Sequence, residues 1–156
     1  MARWFLSGVA GTVAWFAGIL IFFGPAQLLL TDAKLQSAKM IDAFTAEPLP
    51  RIAEAPWILP VGLLVVNLCV AAAYRLVRSA LAGSAWSRGA KFGLLLWLVA
   101  IPWFEFYLPF NVLHEPLPLV LLEGVCWFLT LQLVGHVVAR TGGAAAAPPD
   151  CHRAPA

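Results

Sequence analysis

The sequence predicts an all-α, polytopic membrane protein with four transmembrane helices, and three observations predict it. Of 156 residues, 62% are hydrophobic and 12% charged, with a mean hydropathy of +0.85, whereas a soluble domain is about 45–50% apolar and about 25% charged. Four runs reach the roughly 20 apolar residues needed to cross a hydrocarbon core of about 30 Å. Almost every ionisable residue falls between those runs. The same arithmetic excludes a disordered chain and a disulfide-stapled secreted module. With 10 Lys and Arg against 8 Asp and Glu, the net charge is also too small for a nucleic-acid binder.

The first span runs from about Trp4 to Leu30. Met1–Arg3 resembles the basic start of a signal peptide and Gly24-Pro25-Ala26 a weak cleavage site. The apolar stretch is, however, much longer than the roughly 7–15 residues of a signal-peptide core, so it is read as a retained helix. The next segment, 31–56, is longer than a connection requires. Leu35, Ala38, Ile41 and Ala43-Phe44 make a ragged apolar stripe over Asp32–Thr45, which is either a short helix at the membrane surface or a continuation of the first helix. Pro48 and Pro50 stop it. The second span covers Trp57–Val77, the third Phe92–Val112 and the fourth Leu117–Ala139. Residues 1–140 thus form one membrane domain. The Ala-, Gly- and Pro-rich tail 141–156 is expected to be disordered.

Lys and Arg in the short connections set the orientation. With the N-terminus inside, Arg3, Arg75, Arg78, Arg88, Lys91, Arg140 and Arg153 are cytoplasmic against Lys34, Lys39 and Arg51 outside. Both termini are therefore expected in the cytoplasm. Trp4 and Trp86 then mark the inner interface and Trp57 the outer one. The outer ends of spans one and three are alike: Phe22-Phe23-Gly24-Pro25-Ala26-Gln27-Leu28-Leu29 and Phe106-Tyr107-Leu108-Pro109-Phe110-Asn111-Val112-Leu113. Either two helix hairpins repeat in parallel about an axis along the membrane normal, or both interfaces have independently recruited aromatics and proline.

An ionisable side chain inside a span costs about 2.5–3.5 kcal/mol on insertion scales, and Glu105 and Glu123 are the two that need a reason. Each lies nine residues from His114, the centre of the turn between spans three and four, so both sit at about the same depth, roughly 13 Å along their helices. If they face each other, two carboxylates in a low dielectric share a proton. Pro109 lacks an N–H and so frees the carbonyl of Glu105 from its usual helical partner. Cys126 and Thr130 continue a weakly polar stripe from Glu123. Asn67 is the polar residue expected to look inward at mid-span, with Tyr74 and Arg78 on its face. Asn111 joins the proposed polar site, and His114 and Glu115 form its outer rim. The alternative is that both glutamates, protonated or wetted near the interface, bond neighbouring helices and fix the packing. His136 reads as an interface residue.

Ala10, Ala14 and Gly18, with Ser7 and Gly11 beside them, make a small-residue face for another helix, in this chain or in a second copy. No two histidines have ligand spacing, so no metal is assigned. There is no CxxC, phosphate loop or Ser-His-Asp arrangement, so an enzyme is the least supported class and no cofactor is implied. Cys69 and Cys126 lie in spans and Cys151 in the tail, offering no disulfide pair.

Pro48-Leu-Pro-Arg51, Pro102-Trp-Phe-Glu-Phe-Tyr-Leu-Pro-Phe-Asn-Val112 and Glu115-Pro-Leu-Pro-Leu-Val-Leu-Leu-Glu123 resemble motifs of small, uncharacterised four-helix bacterial inner-membrane proteins, over about residues 5–140. The resemblance implies a multi-pass bacterial plasma-membrane protein and transfers no catalytic residue. Small multidrug exporters are less similar: their essential glutamate lies in the first span, which here contains no acid. The expectation is a structural or partner-binding protein of the lipid bilayer, as a homodimer or with another membrane protein. The alternative is a proton- or cation-coupled small transporter using Glu105 and Glu123.

Overall fold

The structure, a computed structural model, describes residues 2–143 and is all-helical. Of the expected tail 141–156, Thr141 is instead helical, ending the fourth long helix, and residues 144–156, with Cys151, His152 and Arg153, lie outside the described residues. Helices α1 (Ala2–Gly18) and α2 (Gly24–Leu30) join through a π-helical segment, Ile19–Phe23, into one rod. Helices α3 (Ala38–Thr45) and α4 (Arg51–Glu54) are short. Helix α5 covers Ile58–Val77. Helix α6 (Ala85–Glu105) continues through a second π segment, Phe106–Val112, and α7 covers Leu117–Thr141. Four stretches are long and apolar enough to cross a membrane: Arg3–Leu30, Ile58–Val77, Ala85–Val112 and Leu117–Thr141. Their outward faces carry side chains such as Leu20, Val65, Val99 and Leu121, a surface suited to lipid.

Two boundaries differ from expectation. The third span starts at Ala85, seven residues before Phe92, because Arg88 and Lys91 do not end the helix. Their side chains fold back onto the preceding turn, Arg88 donating to Gly83 O at 2.6 Å and Lys91 to Ala82 O at 2.9 Å. Ser84 caps the helix by accepting from Ser87 N. The first helix does not continue into the long connection. It ends at Leu30, and α3 starts afresh at Ser37, whose hydroxyl accepts from Met40 N at 3.0 Å.

The spans pack in the order α5, α1, α7, α6. Helix α1 is seated by close approach. A Cβ at Gly18 would stand 2.6 Å from Thr130 Cγ2, and Gly11 lies against Asn67 and Val138. Ser7, Gly11, Ala14 and Gly18 are buried in these contacts and Ala10 is half-buried. Helices α6 and α7 approach backbone to backbone: a Cβ at Gly135 would meet Gly89 O at 2.6 Å and Gly93 N at 2.7 Å. Gly89 and Gly93 form a small-xxx-small pair, which a span beginning at Phe92 would divide. At the end carrying the described termini, Tyr74 lies edge-on to Phe92 with centroids 5.1 Å apart, among Val134 and Val138. At the opposite end Phe23, Ala26, Leu30, Leu119 and Cys126 pack around Trp127.

Candidate carboxylate site

The second π segment is the local feature that builds the site. Pro109 removes an N–H from the α-helical ladder, and the chain answers by widening to i→i+5 bonding over Phe106–Val112. In that register the carbonyl of Glu105 is served by Phe110, so it is not freed as the sequence suggested. Asn111 is not part of the polar site: it is exposed, and its amide caps the same segment by donating to Phe106 O at 2.7 Å. His114 then takes a left-handed conformation, φ 58°, which turns the chain back. The N–H of Glu115 bonds Pro109 O at 2.9 Å.

This turn sends Glu115 inward. Glu105, Glu115 and Glu123 each bring a carboxylate oxygen to within 4.8 Å of the others. Glu105 and Glu115 are 3% and 2% exposed, and Glu123 is half-buried. Glu115, expected on the rim, is therefore a full member of the cluster. Gln36 reaches in from the segment after α2 and donates to Glu115 Oε1 at 2.7 Å and to Leu30 O at 3.2 Å, while its own Oε1 accepts from Ser37 N. Ser37 Oγ donates to Leu113 O. Residues 31–37 thus strap the site from above.

Neither oxygen of Glu105, nor Oε2 of Glu115, receives a hydrogen bond among the described residues. Burial pushes the Glu115 carboxyl above its ordinary range, and the Gln36 bond offsets part of that rise. Lys39 and His114 contact each other at 3.2 Å on the exposed side, so His114 alone occupies the rim. Below the cluster, Cys126 Sγ lies 3.5 Å from Phe22 O and Thr130 packs on Gly18. An apolar groove of about 470 Å³ between α6 and α7, walled by Trp97, Ile101, Phe106, Phe110, Leu117 and Val125, reaches Glu105 from the side.

Asn67 does not join these residues. It donates to Leu63 O and lies against Gly11, beside Val138. Val138 is fifteen residues from Glu123 along α7, or about 22 Å. His136 packs on the Trp86 ring, with centroids 4.0 Å apart. Neither Glu115 nor Gln36 carries a local sequence signal for the cluster, since each depends on a loop fold that no periodicity records. Compared with known proteins, the chain matches no family model, no curated protein and no solved structure.

Proposed function

We propose that the chain is a proton- or cation-coupled membrane carrier whose binding site is the Glu105–Glu115–Glu123 cluster. The observation that carries this reading is the convergence of three carboxylates without donors on Glu105. At an effective dielectric of about 20, each ionised pair at such a separation repels by about 3 kcal/mol. The cluster is therefore stable only when protons or a cation neutralise it. The small-residue face that the sequence offered equally to a second copy is used inside the chain, against α5 and α7.

The two π segments support a functional role for this end of the bundle, because π-helical turns inside α-helices occur frequently at functional sites. They occur beside Pro25 and at Pro109, within the two similar motifs, which supports the reading of two repeated hairpins. The packing is not an exact twofold, since α1 lies along α7 whereas α5 meets α6 through Tyr74, Phe92 and Arg88. We further place both termini in the cytoplasm of a bacterial cell, with the carboxylates toward the outer face, on the distribution of Lys and Arg and the resemblance of the motifs. A reporter fused after Ala139 is then active only when it functions in the cytoplasm.

Flux through proteoliposomes tests the carrier. With a pH-sensitive dye inside and a cation gradient imposed, the protein should move protons, and Glu105→Gln and Glu123→Gln should each abolish the signal. Flux unchanged in both variants overturns the reading.

A further inference from the structure

We infer that the cluster is a binding site for a hard divalent cation such as Ca²⁺, with Glu105, Glu115 and Glu123 as its ligands and Gln36 as the residue that positions Glu115. The inference deepens the carrier reading and rests on it for the site's place in function, though not for its chemistry.

The ligand chemistry is all oxygen. The nearest soft ligand, Cys126, turns its sulfur to Phe22 O, and His114 turns its ring to Lys39 on the exposed side. A set of carboxylate oxygens without thiolate or imidazole selects Ca²⁺, Mn²⁺ or Mg²⁺ over Zn²⁺ or Cu²⁺. Three carboxylate oxygens that all lie within 4.8 Å of one another are close enough for one such ion to draw them together, and Ca²⁺, which accepts flexible geometry and dehydrates more readily than Mg²⁺, suits a site built from protein oxygens alone.

Burial supplies an independent observation. Glu105 is 97% buried by its 3% exposure, and both its oxygens lack a donor; Glu115 Oε2 lacks one as well. Bare acceptor atoms in a buried site are costly unless something positive meets them. A proton serves two carboxylates at a time, whereas one cation serves three. Glu115 Oε1 is held at 2.7 Å by Gln36, whose amide is itself fixed by Leu30 O and Ser37 N. This is the outer layer of support that orients a ligating carboxylate.

Calorimetric titration of Ca²⁺ into the purified full chain in detergent, freed of metal beforehand, tests the inference. The wild type should bind one Ca²⁺ saturably at or below about millimolar concentrations, and Mn²⁺ should compete. Glu105→Gln and Glu115→Gln should each weaken binding by more than about tenfold, and Gln36→Ala by about tenfold. Glu54→Gln, in exposed α4, should bind like the wild type. Absence of saturable heat from the wild type overturns the inference, as does binding that survives the cluster variants. The wild-type titration needs no variant to fold. Proton flux without Ca²⁺ binding refutes this inference and leaves the carrier reading standing. Ca²⁺ binding lost in the cluster variants, without flux of any kind, supports the inference and refutes the carrier.

Discussion

Replacing Gly135 by alanine tests the seam that holds α6 and α7, and through it the rotation that brings Glu105 to Glu123. The new Cβ would stand 2.6 Å from Gly89 O and 2.7 Å from Gly93 N. Ordinary contact begins at 3.4 Å, so the helices must part by about 0.8 Å. A gap of that order forfeits roughly a quarter to a half of each van der Waals contact across the seam. The obstructing atoms are backbone and cannot rotate away, which puts the cost near the upper end of overpacking, about 3 kcal/mol. Gly124, eleven residues earlier on the same helix, is the control: a Cβ there meets nothing within 4 Å. Gly124→Ala should be neutral or stabilising by up to about 1 kcal/mol through helix propensity. Equilibrium unfolding in mixed micelles with increasing SDS, followed by tryptophan fluorescence, gives both values. Equal stability of the two variants would refute the packing of α6 on α7 described here.

Two further predictions concern the strap and the titration of Glu115. Ser37→Ala removes both the cap of α3 and the bond to Leu113 O, at a cost of about 1 kcal/mol. Hydrogen exchange in residues 31–45 should quicken while that in α5 is unchanged, and uniform exchange across both would count against the strap. Glu115 has a carboxyl raised above its ordinary value of 4.5 by burial, so the folded protein holds a proton that the unfolded chain releases. Its contribution therefore favours folding at low pH and is lost as pH rises from 4.5 through the folded value. In chelator-treated protein, Glu115→Gln should flatten that fall in thermal stability. An undiminished slope contradicts the burial of Glu115.

The four spans were legible because apolar runs of membrane length leave few alternatives. The depth of Glu105 and Glu123 was legible too, as both lie nine residues from His114 in an antiparallel hairpin. Their mutual facing was not, because rotation is set by backbone contact at Gly89, Gly93 and Gly135 and by the π segment at Pro109. The start of α6 lies earlier than its charges suggest for a physical reason: Arg88 and Lys91 satisfy their charges on carbonyls of the preceding turn and need not lie outside the helix. Gln36 escaped detection and Glu115 was legible only as a rim residue, because their positions follow from a left-handed residue and a returning loop. Asn67 shows the reverse error. A polar residue at mid-span seeks a partner for its amide, and here the amide nitrogen finds one on its own helix at Leu63 O, far from the glutamates, while Oδ1 has no partner among the described residues.

The most direct test of the central claim, that three carboxylates act as one site, is infrared difference spectroscopy of the carboxyl bands on adding Ca²⁺ to metal-free protein. The account predicts a carboxylate shift in the wild type that disappears almost entirely in each of Glu105→Gln, Glu115→Gln and Glu123→Gln, because removing one member unbinds the ion from all. A response that falls by only one carboxylate's share in each variant, or that persists unchanged in Glu115→Gln, would contradict it.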